Sequence, residues 1–278
     1  MFGGKIMTVN LRKNISKISK ILVLMLMIFS LSIISMKNKE KTFYTSSQEL
    51  SNKKIGWGIK RNDNHEQPDL GKNNKKVLEN NNGIAIGNNT DKYIYLTFDE
   101  GYEAGYTTKI LETLKENNVK ATFFITAHYL NTQPELVKQM IDEGHIVGNH
   151  TVNHKSMPDL TEEKIKTEVM NLHTAIYEKF QYEMKYIRPP MGEFSEKTLS
   201  VTNSLGYKTV MWSFAYEDWN EDKQPDETSA KQKILDNVHN GEIMLLHGNS
   251  KTNTNILGDI IKEIKNMGYE FKSIDEFK

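Results

Sequence analysis

The chain has 278 residues, 37% of them hydrophobic and 26% charged, so it can hold one or two domains and fold most of its length around a core. Its 36 basic and 36 acidic side chains balance, so it lacks the basic footprint that nucleic-acid binders usually carry. It has no cysteine, which excludes disulfides and thiolate metal sites.

In chain order, Lys5, Arg12, Lys13, Lys17 and Lys20 precede an apolar run at residues 21–36. This is a charged n-region followed by an h-region, and it makes residues 1–37 a signal peptide or membrane anchor. The run is shorter than the ~20 apolar residues of a spanning helix. No small-x-small cleavage site follows it, so both readings stay open. Either way the segment contacts the membrane or the export machinery. The upstream basic residues direct the rest of the chain outward, to an extracytoplasmic location, although Lys37, Lys39 and Lys41 oppose that orientation. Residues 38–91 are polar and rich in Asn and Lys, with loop signals such as Asn80-Asn81-Asn82-Gly83, and read as a linker or arm that Trp57 pins to the main domain.

From residue 92 to 278 short apolar strands alternate with amphipathic helices. Strands are expected near 93–98, 121–125, 145–148, 185–188, 207–212, 242–246 and 269–273. Between them lie helices carrying Ile110, Leu111 and Leu114; then Leu136, Val137, Met140 and Ile141 behind a capping box at Thr132-Gln133-Pro134-Glu135; then Ile165, Val169, Leu172, Ile176 and Phe180. Others are expected near 196–205, 230–238 and 256–267. Such alternation predicts a parallel α/β fold, either an open sheet or a closed barrel.

Reactive side chains gather just after the strands: Asp99 and Glu100, His150 and His154, Arg188, Asp218, His247. Loops at the strand C-terminal ends build the active site of a βα barrel, so this placement favours a barrel. His150 and His154 would share a face if their segment made a helical turn, suiting two imidazoles to one metal, and the Asp99-Glu100 pair supplies carboxylates to complete such a site. His65, His173 and His239 read as surface residues, and His145 as a structural one.

Thr97-Phe98-Asp99-Glu100-Gly101, His150-x-x-x-His154, Arg188-Pro189-Pro190-x-Gly192, Asp218-Trp219 and Leu246-His247 resemble, in order and rough spacing, the motifs of NodB-type polysaccharide deacetylases. Gly101-Tyr102-Glu103-x-Gly105-Tyr106-Thr107, His145-Ile146-Val147-Gly148-Asn149-His150 and Phe271-Lys272-Ser273-Ile274-Asp275 are similar to the delta-lactam-biosynthetic de-N-acetylases of spore formers, as is the stretch from Trp57-Gly58 to Gln67-Pro68. The resemblance implies a distorted (β/α) barrel of about seven units over residues 92–278. It further implies hydrolysis of the acetamide of N-acetylmuramic acid in peptidoglycan glycan strands, on the way to muramic delta-lactam in the spore cortex. By the same resemblance Asp99 is the general base, held by Arg188, and His247 the general acid, held by Asp218. Glu100, His150 and His154 are implied to ligate a divalent metal, zinc by preference. Trp219 and Pro190 are candidates to line the sugar site. Deacetylation of another N- or O-acetylated polysaccharide, or wall binding without catalysis on the same fold, are the competing expectations. The wider family has Asp where this chain has Glu100, which puts that ligand in question.

Overall fold

The computed structural model describes residues 50–278; the expected signal or anchor at 1–37 and the beginning of the arm lie outside the described residues. Among the described residues no helix is long and apolar enough to cross a membrane. The sheet grows from one strand, Tyr93–Glu100, whose Ile94, Leu96 and Phe98 alternate with Tyr95, Thr97 and Asp99. Successive strand residues face opposite sides of a sheet. Ile94, Leu96 and Phe98 therefore pack in the main hydrophobic cluster with the surrounding helices, while Tyr95 packs in a separate one with Phe124, Ile146, Val210 and Ile243.

With β1 at Ile55–Gly56, this strand is β2; β3 is Thr122–Ile125, β4 Ile146–Asn149, β5 Tyr186–Ile187, β6 Glu193–Phe194, β7 Lys208–Thr209, β8 Glu242–His247 and β9 Glu270–Phe271. The parallel sheet runs β7-β5-β4-β3-β2-β8, with β9 added at the start of β2. All seven expected strands are present in it, though β5 and β7 are shorter than the apolar runs that announce them. Between the outer strands the chain closes on itself: Ile84 bridges to Val210, Ile86 to Glu242, and Phe214 to Met244. A half-barrel sheet completed by these bridges is the distorted barrel that was expected.

The helices are α1 (Lys72–Asn80), α2 (Thr107–Glu116), α3 (Ala127–Thr132), α4 (Pro134–Asp142), α5 (Glu162–Phe180), α6 (Glu196–Ser204), α7 (Glu227–Asn237) and α8 (Lys251–Asn266). In α5, Thr161 accepts the Lys164 N–H at the start, the buried stripe Ile165, Val169, Leu172 and Ile176 faces the sheet, and Gln181 ends the helix in the left-handed region. α8 opens on Ser250, only three residues past His247, and buries Ile256, Leu257, Ile260, Ile261 and Ile264. Fully burying one such side chain stabilises by about 1.5–3 kcal/mol. The expected capping box at 132–135 does not form. Thr132 instead bonds back to the His128 carbonyl and finishes α3, and no side chain caps α4.

The arm is not a loose linker. Residues Ser51–Lys278 form one compact unit. Within it Trp57, Leu70, Leu78 and Ala85 build their own cluster with Phe194, Leu199 and Met211. α1 packs on α6, and β1 pairs antiparallel with β6. Trp57 does pin the arm, through its indole N–H on the Trp212 carbonyl at 2.9 Å. Polarity concealed this, because the few apolar residues of the stretch are spaced along it to meet the barrel one by one. His239, read as a surface residue, is buried, with Nε2 2.8 Å from the Ser213 hydroxyl.

Candidate active site

The register sets the strand ends level, with Asp99 beside His247, Ile125 beside Asn149, and Asn149 beside Ile187. The residues that end or follow these strands therefore converge on one rim. Asp99 is buried and accepts from Arg188 Nη1 at 2.8 Å. Arg188 has no exposed surface; its Nε donates to the Val210 carbonyl at 3.1 Å, and its guanidinium lies over the Phe124 ring at 4.3 Å. Burial alone would push the Asp99 carboxyl up, but the charge of Arg188, with smaller contributions from His150 and His247, outweighs it and holds Asp99 below its ordinary value. Asp99 is thus an ionised carboxylate with little of its surface exposed.

His150 Nδ1 must carry its proton, because its partner at 2.8 Å is the Arg188 carbonyl, which only accepts. That leaves Nε2 unprotonated, 3.5 Å from Asp99 Oδ2. Burial lowers His150 to about 4 and also lowers His154, so both rings are neutral near pH 7. The 150–154 segment is not the helical turn that the spacing suggested: Thr151 and His154 both take positive φ, at 68° and 53°. The loop still brings the two rings to 4.7 Å between centroids. It is held by Glu168 of α5, whose carboxylate accepts the Asn153 backbone N–H at 2.7 Å and its side-chain amide at 2.6 Å.

Glu100 does not join the histidines. β2 continues through Glu100, so this side chain leaves on the face opposite Asp99, toward the helix layer. Its carboxylate lies against the Cα of Gly248, where an added Cβ would meet Oε1 at 2.0 Å, and neither oxygen has a hydrogen-bond partner among the described residues. Burial first, then the charges of Glu103 and Asp99, push its pKa well up. His150 and His154 suit zinc by donor type. However, among the described residues no group of three His, Cys, Asp or Glu side chains could hold a metal ion. The residues present therefore do not fit the three-donor centre that the resemblance implies.

On the far side of the rim Asp218 is fully buried and receives three donors: His247 Nδ1 at 2.7 Å, the His247 backbone N–H at 2.9 Å and Asn253 Nδ2 at 2.5 Å. Tyr216 donates in turn to Asn253. Burial disfavours the His247 imidazolium, but the charge and hydrogen bond of Asp218 outweigh that and raise its pKa. With Nδ1 engaged, Nε2 is the nitrogen left for the cleft.

The cleft has two limbs, and Asp99, His150, His154, Trp219 and His247 line both. A limb of about 520 Å³, the apolar limb by most of its side chains, is walled by Met191, Gly192, Trp212, Ala215, Tyr216 and Leu245, with the exposed Glu217 among them. A second limb of about 730 Å³ is walled by Gly101, Tyr102, Thr126, His128, Val152, Asn153 and Asn249. Trp219 is 50% exposed, with its ring 5.3 Å from that of His247. Pro190 is buried and lines neither limb; Met191, which follows it in the left-handed region at φ 58°, is the residue turned outward. Sequence reasoning missed Asn253, Asn249 and Glu168. Asn249 donates to both the Tyr102 hydroxyl and the Trp219 carbonyl. The signal that could have found Asn249 and Asn253 is a run of amides directly after Leu246-His247, at the mouth of a helix.

Residues 86–210 match the polysaccharide deacetylase family. The peptidoglycan-N-acetylmuramic acid deacetylase PdaA of Bacillus subtilis is 42% identical over 231 residues, covering 83% of this chain and 88% of its own. The solved structure of B. subtilis PdaA, a family 4 carbohydrate esterase, matches with a TM-score of 0.80 at 42% identity, over 82% of this chain and 98% of that one. A peptidoglycan-N-acetylglucosamine deacetylase of Bacillus cereus is 34% identical over 191 residues, which is 68% of this chain and 89% of its own. Identity sustained over 83% of the chain, on the same fold, accounts for the ordered motifs around the rim: the chain belongs to the polysaccharide deacetylase family, family 4 of the carbohydrate esterases.

Proposed function

We propose that this protein is a de-N-acetylase of peptidoglycan that frees the amine of N-acetylmuramic acid outside the cytoplasm. The observation that carries the reading is the pair of opposed devices in one cleft, a carboxylate kept ionised by Arg188 and an imidazolium favoured by Asp218. An acetamide needs both. Water must lose a proton to attack the carbonyl, and the amine must gain one to leave. Asp99 takes the proton from water as its oxygen bonds to the carbonyl carbon. His247 gives its Nε2 proton to the nitrogen as the carbon–nitrogen bond breaks, releasing acetate. Trp219 offers an exposed face against which a sugar ring packs.

Deacetylases of this family generally depend on a metal ion. Because Glu100 does not complete a ligand set here, no step above is assigned to one. The muramic reading is supported by likeness to PdaA, whose name states that substrate. Freeing the amine beside the lactyl carboxyl permits lactam closure, the chemistry of the spore cortex, and the basic and apolar segments at the start of the chain suit export toward that wall. The test is to incubate purified protein with defined glycan strands, with and without divalent metal, and measure acetate and the sugars formed. Muramic acid with stoichiometric acetate supports the reading. Glucosamine alone would reassign the substrate, and no acetate under any condition would remove the activity.

A further inference from the structure

Much of the wall of the apolar limb is irregular backbone. Gly192 follows the left-handed Met191 and is itself at φ 66°, while Trp212 and Ala215 lie beyond the end of β7. Carbonyls in such segments need donors to hold one conformation. Three of the limb's wall residues receive them from a single stretch of the arm, residues 55–61. The Trp57 backbone N–H donates to the Gly192 carbonyl at 2.9 Å, and the Trp57 indole N–H to the Trp212 carbonyl at 2.9 Å. Arg61 Nη2 donates to the Ala215 carbonyl at 2.6 Å, and its guanidinium lies 5.6 Å from the Phe214 ring centroid. The fit is close. A Cβ on Gly192 would meet the Trp212 ring at 2.7 Å and Trp57 Cβ at 3.3 Å, so arm and wall leave no room for each other to shift.

This stretch lies outside residues 86–210, over which the chain matches the family. The match to the muramic acid deacetylase takes in 231 of the 278 residues and so includes residues 55–61. N-acetylmuramic acid and N-acetylglucosamine differ in one group, a lactyl ether on the carbon next to the acetamide. That group can be sensed only within a few ångströms of the reacting amide. The apolar limb is there, since it shares Asp99, His150 and His247 with the centre.

We infer that residues 55–61 are the sugar-selecting element of this enzyme, an inference that rests on the muramic reading above: Trp57 and Arg61 fix the wall of the apolar limb, and the fixed wall accepts the lactyl-bearing sugar. They act as positioning residues, through Gly192, Trp212 and Ala215, and do not touch the reacting atoms.

The test uses full-length protein with Trp57→Phe, which keeps the packing and removes the indole donor, and Arg61→Ala, whose side chain is exposed and unneeded for the core. On glycan strands carrying both N-acetyl sugars, muramic acid and glucosamine are quantified and kcat/KM is obtained for each, with thermal unfolding measured alongside. One hydrogen bond is worth up to about tenfold. Each variant should lower kcat/KM for the muramic residue by about that factor, leave any glucosamine formation within about twofold, and keep near-normal unfolding; Arg61→Lys should recover part of the loss. An unchanged ratio of the two products in folded variants, or an equal fall for both sugars, would overturn the inference while leaving the function intact. Wild-type protein that makes no muramic acid would overturn the substrate reading and this inference with it.

Discussion

At the scale of single residues, the site is a contest between burial and charge, settled differently at each position. Asp218 is the side chain that decides the protonation of His247. Asp218→Asn should lower turnover by ~10²-fold or more, the scale of an acid–base group. It should also move the alkaline limb of the kcat/KM profile to lower pH, because imidazolium is lost as pH rises through a pKa no longer raised. A pH–rate profile of the variant checks both. Glu100 gives the opposite case. Its folded pKa lies above the ordinary 4.5. The unfolded chain therefore releases a proton, as pH rises past that value, which the folded chain still holds, and stability falls across that window. Glu100→Gln keeps the neutral shape and removes the penalty, so its melting temperature should exceed wild type at pH 8 and match it near pH 4. Zinc affinity, measured by titration calorimetry, should change less than about threefold in this variant. The residue types of the site were legible in the sequence as an ordered set of motifs. The direction of Glu100 was not, because it depends on whether β2 ends one residue earlier or later, and a strand reverses its facing at each residue.

Among the elements, the loop after β4 and the helix that follows it form one device. The sequence supplied the two histidines and the periodic face of α5, yet not the link between them. Glu168 sits on that helix among apolar neighbours and reaches the Asn153 amides from the side. Glu168→Ala should free the loop, lower kcat by about tenfold and cost about 1.5–3 kcal/mol in urea unfolding, the worth of hydrogen bonds to a charged group. Glu168→Gln should fall between, since one amide oxygen can serve only one of the two donors well. Strands β5 and β7 were expected longer than they are, because an apolar run reports burial and not pairing. Past Thr209 the chain stays buried while it turns to line the cleft, and only isolated bridges continue the sheet.

For the molecule as a whole, the sequence pattern carried the barrel but not the way it is closed. Alternating strands and helices announce βα units, whereas the arm that completes them carries too few apolar residues to be read as part of a core. The closing contacts join residues made early to residues made late. Ile84 and Ile86 leave the ribosome before every strand of the main sheet, and their partners Val210 and Glu242 are among the last segments to appear. Pairings so distant in sequence pay their loop-closure entropy late and slow a fold down. Refolding should therefore show an early phase that builds the sheet centred on β2 and a slower one that closes the seam, and pulse-labelled hydrogen exchange should protect β2 and β3 before the Ile84 amide. A chain that cannot finish its barrel until its last segments arrive remains threadable while it is being made, which is the condition a polypeptide must keep if it is to be moved through a narrow pore before it works.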